Sequence, residues 1–254
     1  MAYLWLGKSC GQLNEAKAGD EAYMKAKEYS VKATEKERLY IEASYASAIE
    51  KDPDKRIRIL KEIAQKYPDE KQVYYDLAVH YRSQDMYPEA IGESQKALAL
   101  DPNYGAALNE IAYEYAQSGD FEKAIEYFQK YASVSPGDAN PLDSIAELNL
   151  LMGKLDDALA KYKEVLEVKP DFYDSCYRIA YVYALKENYA EVMKWVDEIT
   201  ARAPSADGKI ENNLWKGFYD YWLGNSNLAL AELNPFRFVL RGLQVTRRLD
   251  HIAL

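Results

Sequence analysis

The side chains that could do chemistry are few, and their spacing matches no catalytic pattern. The two histidines, His80 and His251, lie in neither a His-Glu-x-x-His nor a His-x-Glu context, so a metal-bound hydroxide would lack ligands. Cys10 and Cys176 are far apart in the chain, which predicts two reduced thiols rather than a disulfide framework or a metal cluster. No glycine-rich phosphate loop is present. The sequence therefore predicts a protein that is not an enzyme and that uses no cofactor and no metal.

Charge and hydropathy exclude two classes of partner. The net charge is −9 and the isoelectric point is near 5.0, so the chain is acidic, whereas a nucleic-acid binder needs a basic surface to displace counterions. No stretch approaches the roughly 18 apolar residues of a membrane span, and the first residues lack the basic start and cleavage site of a secretory signal. We expect a cytoplasmic protein that binds neither nucleic acid nor membrane.

The elements that position the remaining side chains follow a strict period, which is marked by prolines. Pro68, Pro102, Pro136, Pro170 and Pro204 are separated by 34 residues each, and each follows a helix-like apolar run. A fixed period of this length predicts a series of repeated supersecondary units rather than two ordinary domains.

Each unit is predicted to contain two helices of about 12 to 14 residues. Turn residues interrupt the units at 51–54, 84–85, 118–120, 152–154 and 186–188. Thr34 with Glu37 has the capping-box pattern that can begin the first regular helix. Residues 1–33 are predicted to form an irregular hairpin, with helices over 2–13 and 21–32 and a connection over 14–20.

Three columns of residues repeat in the same register and support the paired helices. Small residues recur at one position of the first helices, which lets helix axes approach closely. A second column of small residues recurs in the second helices, and a column of tyrosines recurs near the end of the first helices. The three columns consist of Ser44, Ala78, Ala112, Ala146 and Ala180; of Ala90, Ala124 and Ala158; and of Tyr81, Tyr115 and Tyr183.

The unit resembles the tetratricopeptide repeat, and the array is similar to those found in bacterial regulators. Residues 105–136 show the family pattern best, with Ile111-Ala112, Tyr115, Gly119, Ala124, Phe128 and Pro136. The resemblance implies an all-α, right-handed superhelical solenoid of antiparallel helix-turn-helix hairpins. Five 34-residue units would span 34–204, between a cap at 1–33 and a degenerate sixth hairpin at 205–234.

Beyond Pro204 the register slips by three residues, because Leu223-Gly224-Asn225 and Ala229 fit a sixth hairpin only after that shift. Residues 235–254 match no column and carry an excess of arginine. This basic segment is predicted to be a closing helix, or else an arm that folds back onto acidic repeats or binds a partner.

The resemblance also implies that the first helix of each hairpin lines an inner concave surface. Spacing relative to the small column then selects the side chains of a tyrosine-lined groove for a peptide or protein segment, whose basic side chains the carboxylates would attract. The predicted binding residues are Tyr45, Tyr75, Arg82, Asn109, Tyr113, Asp143, Glu147, Tyr177 and Tyr181, and Ile41, Val79, Leu150, Leu214 and Phe218 lie on the same face.

Alternatives to this non-catalytic scaffold or adaptor remain open. The tyrosines could merely pack inside the coil, and the chain could be a sensory or regulatory module of a larger bacterial signalling or transcription system. A clamp for a terminal carboxylate is disfavoured because Ile41, Tyr45, Tyr75 and Val79 occupy the places where clamp-type relatives carry Lys, Asn and Arg. An aromatic patch at the C-terminal end could mediate self-association or form the core of the last hairpin; it contains Trp215, Phe218, Tyr221 and Trp222.

Overall fold

A computed structural model describes residues 1–13, 15–202 and 215–233, and all regular structure in these ranges is helical. The predicted all-α class and its repeated helical hairpins are confirmed. The chain divides into two compact units, Met1–Ser135 and Pro136–Leu254, which we call the N-terminal and C-terminal units. Within the described ranges, no helix is both long enough and apolar enough to cross a membrane.

The N-terminal unit contains four hairpins in which successive helices pack in pairs, and each second helix also packs against the next first helix. A short 3₁₀ turn, Ser30–Lys32, follows the second helix. The helices are α1 Ala2–Gln12, α2 Ala16–Tyr29, α3 Glu35–Ala48, α4 Pro53–Lys66, α5 Lys71–Arg82, α6 Tyr87–Leu100, α7 Gly105–Gln117 and α8 Phe121–Val134.

The predicted connection over residues 14–20 is wrong, because α2 begins at Ala16. Ala16, Lys17 and Ala18 are good helix formers that favour this earlier start. Gly19 is not a turn residue but a helix contact, since a Cβ atom at this position would lie 3.4 Å from the Cβ of Cys10 in α1. Gly19 thus lies in the contact between the two helices.

The C-terminal unit continues the pattern with paired helices joined by short turns. Its helices are α9 Asn140–Leu151, α10 Leu155–Val168, α11 Tyr173–Leu185, α12 Tyr189–Arg202, α13 at 215–222 and α14 Ser226–Leu233. Pro204, Leu214, the start of the predicted sixth hairpin and the basic segment 235–254 lie outside the described residues.

Local signals begin and end these helices as the sequence pattern predicts. Thr34 and Glu37 form a complete capping box at α3, and Asp52 Oδ1 accepts a hydrogen bond from the Lys55 amide at 2.8 Å in the first turn of α4. The helices α4, α6, α8 and α10 each end two residues before a proline of the periodic series. Proline cannot supply a backbone N–H, and it disfavours helical geometry in the residue before it.

A left-handed residue closes the turn inside each hairpin of the periodic region. Lys51, Asp85 and Glu187 have φ values of 56°, 57° and 56°, and Gly119 and Gly153 have φ values of 88° and 72°. These five residues are 34 positions apart in sequence. The next left-handed residue, Gly224, follows Glu187 by 37 positions, which matches the three-residue slip of the register.

The small columns lie in the helix interfaces. Ala78, Ala112, Ala146 and Ala180 are fully buried in the first helices, as are Ala90, Ala124 and Ala158 in the second helices, whereas Ser44 is half-buried. Large side chains fill the space between these close contacts, and among the residues that the structure describes Phe128 and Tyr162 are the largest that are completely buried. The alternation of large and small residues therefore gives each interface an interlocked packing.

Candidate functional site

The first helices of the N-terminal unit carry a half-buried aromatic and polar face. The ring of Tyr75 in α5 lies 5.9 Å from that of Tyr104, the residue before α7, in an edge-to-face arrangement. Burial raises the pKa of the Tyr75 phenol, and the negative charge of Glu110 adds to this effect. Two successive hairpins thus contribute to one aromatic surface.

Arg82 links α5 to α7 through a carboxylate that the sequence analysis missed. Its Nε donates a hydrogen bond to Glu110 Oε1 at 2.5 Å, and only 7% of the Glu110 side chain is exposed. Glu110 is one of three acidic residues in the same register, together with Glu42 and Asp76 at intervals of 34 residues. That column of charge was the signal that could have identified it.

The three carboxylates of this column have different partners. Glu42 pairs with Lys27 and Lys55, and Glu110 pairs with Arg82. Asp76 instead accepts one hydrogen bond, from the side-chain amide of Gln72 at 3.1 Å. Gln72 in turn accepts a hydrogen bond from the Tyr104 hydroxyl at 2.8 Å, so a polar chain runs from α5 to the start of α7.

Two of the predicted groove tyrosines contact other side chains of the N-terminal unit. The Lys27 ammonium lies 5.4 Å from the ring centroid of Tyr45. Tyr113 packs edge-to-face on Phe128 of α8, with 5.0 Å between ring centroids. Asn109 is half-buried one turn before Tyr113 on α7. Tyr113 therefore has a packing role in addition to any role in binding.

Glu114 forms a second polar contact that the sequence did not reveal. Its side chain is completely buried and accepts a hydrogen bond from the Ser94 hydroxyl at 2.9 Å, while its other carboxyl oxygen has no partner. Burial raises the pKa of Glu114 to about 8. This carboxyl is therefore largely protonated at neutral pH, and it lies between α6 and α7 rather than on the predicted groove.

In the C-terminal unit, Asp143 and Glu147 share one face of α9 and pair with α11. The Ser175 hydroxyl donates to Asp143 Oδ1 at 3.0 Å, and Arg178 Nη2 lies 3.3 Å from Glu147 Oε1. Burial raises the pKa of Asp143, and the hydrogen bond from Ser175 opposes that shift. Both carboxylates thus have partners inside the protein, which weakens the expectation that they attract a basic side chain of a ligand.

Tyr177 and Tyr181 are half-buried on the same face of α11. The ring of Tyr177 lies 6.2 Å from that of Trp215 in α13. In the predicted aromatic patch, Trp215 and Phe218 are half-buried, whereas 64% of Tyr221 and 51% of Trp222 are exposed. Self-association through these exposed rings stays a prediction.

The groups considered for chemistry are dispersed. His80 is 8% exposed beside the Tyr81 ring, and burial lowers its pKa. Cys10 and Cys176 are buried and form no disulfide bond with each other. In the part of the chain that the structure describes, no three His, Cys, Asp or Glu side chains group together in a way that could hold a metal ion.

Comparisons with known proteins agree with this hairpin architecture. Two family profiles, both described as tetratricopeptide repeat, match residues 75–141 and 149–209, which together make up about half of the chain. A comparison with curated protein sequences gives no significant match.

Several solved structures are similar to this chain. TTC0263, a thermophilic TPR protein of Thermus thermophilus, is 22% identical with a TM-score of 0.58, over 72% of this chain and 98% of that one. PilF of Pseudomonas aeruginosa is 13% identical with a TM-score of 0.60, over 87% and 95% of the two chains. YrrB, a TPR protein with an unusual peptide-binding site, is 20% identical with a TM-score of 0.55, over 76% and 97%. At these identities the likeness concerns the fold alone.

Proposed function

The chain belongs to the tetratricopeptide-repeat family, and from this premise we propose that it is a scaffold or adaptor that holds a peptide or protein segment on the first-helix faces of its hairpins. Proteins with this repeat are generally non-catalytic interaction scaffolds. YrrB, which is similar in fold, has a peptide-binding site. Two buried cysteines that form no disulfide bond with each other are compatible with a reducing compartment, and we propose the cytoplasm.

The observation that carries the proposal is the half-burial of the first-helix tyrosines. Tyr75, Tyr177 and Tyr181 are neither covered by the core nor freely solvated. A ring held in this way loses little conformational entropy when a partner covers it, and its hydroxyl can remain in water or bind a backbone group. Such residues suit a surface that recognises extended or helical segments.

A peptide selection tests this proposal. A random peptide library displayed on phage is selected against the full chain, and the dissociation constants of enriched peptides are measured by fluorescence polarisation. Tyr75→Ala or Tyr177→Ala should weaken binding about tenfold or more, as expected for truncation of an aromatic anchor at an interface. Tyr221→Ala is the matched control, because this tyrosine is mostly exposed and lies outside the predicted face.

The melting temperature separates binding from packing. The proposal requires that the two groove variants retain a melting temperature close to that of the wild type while they lose affinity. Failure to enrich any peptide, or equal affinity of all variants, would contradict it. A loss of affinity that accompanies unfolding would instead favour a purely structural role for these tyrosines.

A further inference from the structure

The helix α1 exposes an apolar side. Its residue Gly7 faces α2, since a Cβ atom at this position would lie 2.8 Å from the ring of Tyr23. Away from this contact, 55% of Trp5, 51% of Leu6 and 70% of Leu13 at the end of the helix are exposed. We call these three exposed residues the α1 face.

The composition of α1 suits a helix that is covered on every side. Lys8 is the one charged residue among the 11 residues of this helix, and its ammonium lies 5.2 Å from the ring centroid of Trp5. A helix that is apolar around its whole circumference is normally buried, and a contiguous apolar patch on a soluble protein marks an interaction site. The α1 face therefore indicates a contact that α2 does not supply.

The helix α14 exposes an apolar position that earlier second helices cover. Leu230 is 67% exposed, and after the three-residue slip it continues a column whose other members are buried or half-buried. Three of those members, Ile57, Leu159 and Met193, pack in apolar clusters that include residues of the next first helix. Leu230 thus marks where a second helix meets the first helix that follows it, and we call the surface around it the α14 face. The column consists of Ile57, Ile91, Ile125, Leu159 and Met193.

The chain already forms, between its own hairpins, the contact that these two faces lack. Second helices of the N-terminal unit pack against the first helix of the next hairpin, and α10 packs in the same way against α11. Among the described residues, the first helix α1 and the second helix α14 are without this partner. They are also the least charged α-helices described, with one charged residue each in a chain of net charge −9. Two acidic copies repel each other, so they can approach most easily where charge is least.

We propose that the α14 face of one copy of this chain binds the α1 face of a second copy, so that copies join head to tail. The contact repeats between two molecules the packing of a second helix on the next first helix within one molecule. Because each copy uses two different faces, a joined pair still presents one free α1 face and one free α14 face, and association continues beyond the dimer. This inference goes beyond the proposed function and does not depend on it.

Sedimentation velocity of the full chain over a series of protein concentrations tests the contact. The average mass of the wild type should rise beyond that of a dimer, and Trp5→Glu or Leu230→Glu should weaken association about tenfold or more, because each places a charge in an apolar contact. An equimolar mixture of these two variants should form a one-to-one dimer and nothing larger, since each variant retains one intact face. Leu151→Glu is the matched control, because this leucine is 64% exposed on α9 and belongs to neither face.

Salt and folding provide two further checks. Raising the salt concentration should leave association unchanged or strengthen it, because salt screens the repulsion between acidic copies. Weaker association at high salt would mean that ion pairs hold the copies together, contrary to the proposal. If Trp5→Glu lowers the melting temperature measured by circular dichroism, Leu13→Glu on the same face replaces it and should weaken association in the same way.

Each contrary outcome identifies what is wrong. A wild type that stays monomeric at every concentration would overturn the proposal outright. Self-association of Leu230→Glu alone would show that α1 faces meet each other, and self-association of Trp5→Glu alone would place the contact at the C-terminal end of both copies. Loss of association in Leu151→Glu, or a mixture of the two end variants that stays monomeric, would equally refute the pairing of α14 with α1.

Discussion

The two units use similar first helices, but the arginine–glutamate pairs that join successive first helices differ in their exposure to water. In the N-terminal unit Glu110 and Glu114 are buried, and Arg82 or a single serine hydroxyl is the partner. In the C-terminal unit the Glu147 side chain is 48% exposed where it meets Arg178. The same pairing chemistry therefore has large energetic consequences in one unit and small ones in the other, because water screens only the exposed pair.

The largest effect expected from this comparison concerns the two arginines. Arg82→Ala leaves the Glu110 carboxylate buried without a cation, and the free energy of unfolding should fall by about 3 kcal/mol. Arg178→Ala removes a half-exposed pair and should cost less than about 1 kcal/mol. Urea denaturation monitored by circular dichroism measures both values. Equal losses of unfolding free energy would show that the burial of Glu110 does not make its ion pair more important than the exposed pair of Glu147.

Tyr113 and Tyr181 occupy the same register position, 68 residues apart, and provide the next comparison. Tyr113 packs on Phe128, whereas the structure places no ring against Tyr181 among the described residues. Tyr113→Ala should destabilise the protein by about 2 kcal/mol, and Tyr181→Ala by about 1 kcal/mol, from lost apolar burial and the lost ring pair.

A double-mutant cycle isolates the ring pair. Tyr113→Ala combined with Phe128→Leu should show a coupling of about 1 kcal/mol in denaturant unfolding. If the two substitutions are additive, the contact between the rings contributes nothing beyond burial, and Tyr113 is available for partner binding to the same degree as Tyr181.

The pH dependence of stability should reflect Glu114. Its pKa is about 8 in the fold against an ordinary value of 4.5, so between these values the folded state holds a proton that the unfolded state has released. Stability should therefore fall as the pH rises through this window, by up to about 1.4 kcal/mol per pH unit. Thermal unfolding from pH 5 to pH 8 measures the trend.

Variants at two carboxyls separate the sources of this pH dependence. Glu114→Gln should flatten the profile, because the amide does not titrate. Asp143→Asn should flatten it less, since Asp143 is half-buried and bonded by Ser175. If Glu114→Gln leaves the slope between pH 5 and pH 8 unchanged, the assignment of a protonated Glu114 is wrong.

The smallest expected effect concerns the turns, where the two units should behave alike. Asp85 and Glu187 both have left-handed backbones, which cost a non-glycine residue roughly 1 kcal/mol. Asp85→Gly and Glu187→Gly should each stabilise the protein by up to about 1 kcal/mol in denaturant unfolding, while Gly153→Ala should destabilise it by a similar amount. Unequal effects in the two units would mean that they differ in backbone strain as well as in side-chain solvation.

Much of the fold could be predicted from the sequence because its signals are local. A proline stops a helix, Thr34 with Glu37 caps one, and alanine columns mark close helix contacts, and each of these depends on residues a few positions apart or on one period. The error in the first hairpin has the same origin. The predicted connection over residues 14–20 includes Gly19, but this glycine lies in a helix against Cys10 of the neighbouring helix, and local sequence rules do not contain such a contact.

By itself, the sequence determined the 34-residue period and the approximate helix boundaries of the periodic region, because backbone hydrogen bonding, helix caps and turn residues establish these within one unit. Only the tertiary structure decided which carboxyl groups obtain a partner. Arg82 meets Glu110, Ser94 meets Glu114, and Asp76 meets no cation, although all three carboxyl groups lie on regular repeat helices. The reason is that the charge state and the binding capacity of a buried group depend on the distance and solvation of side chains from other helices, which the spacing along one helix does not contain.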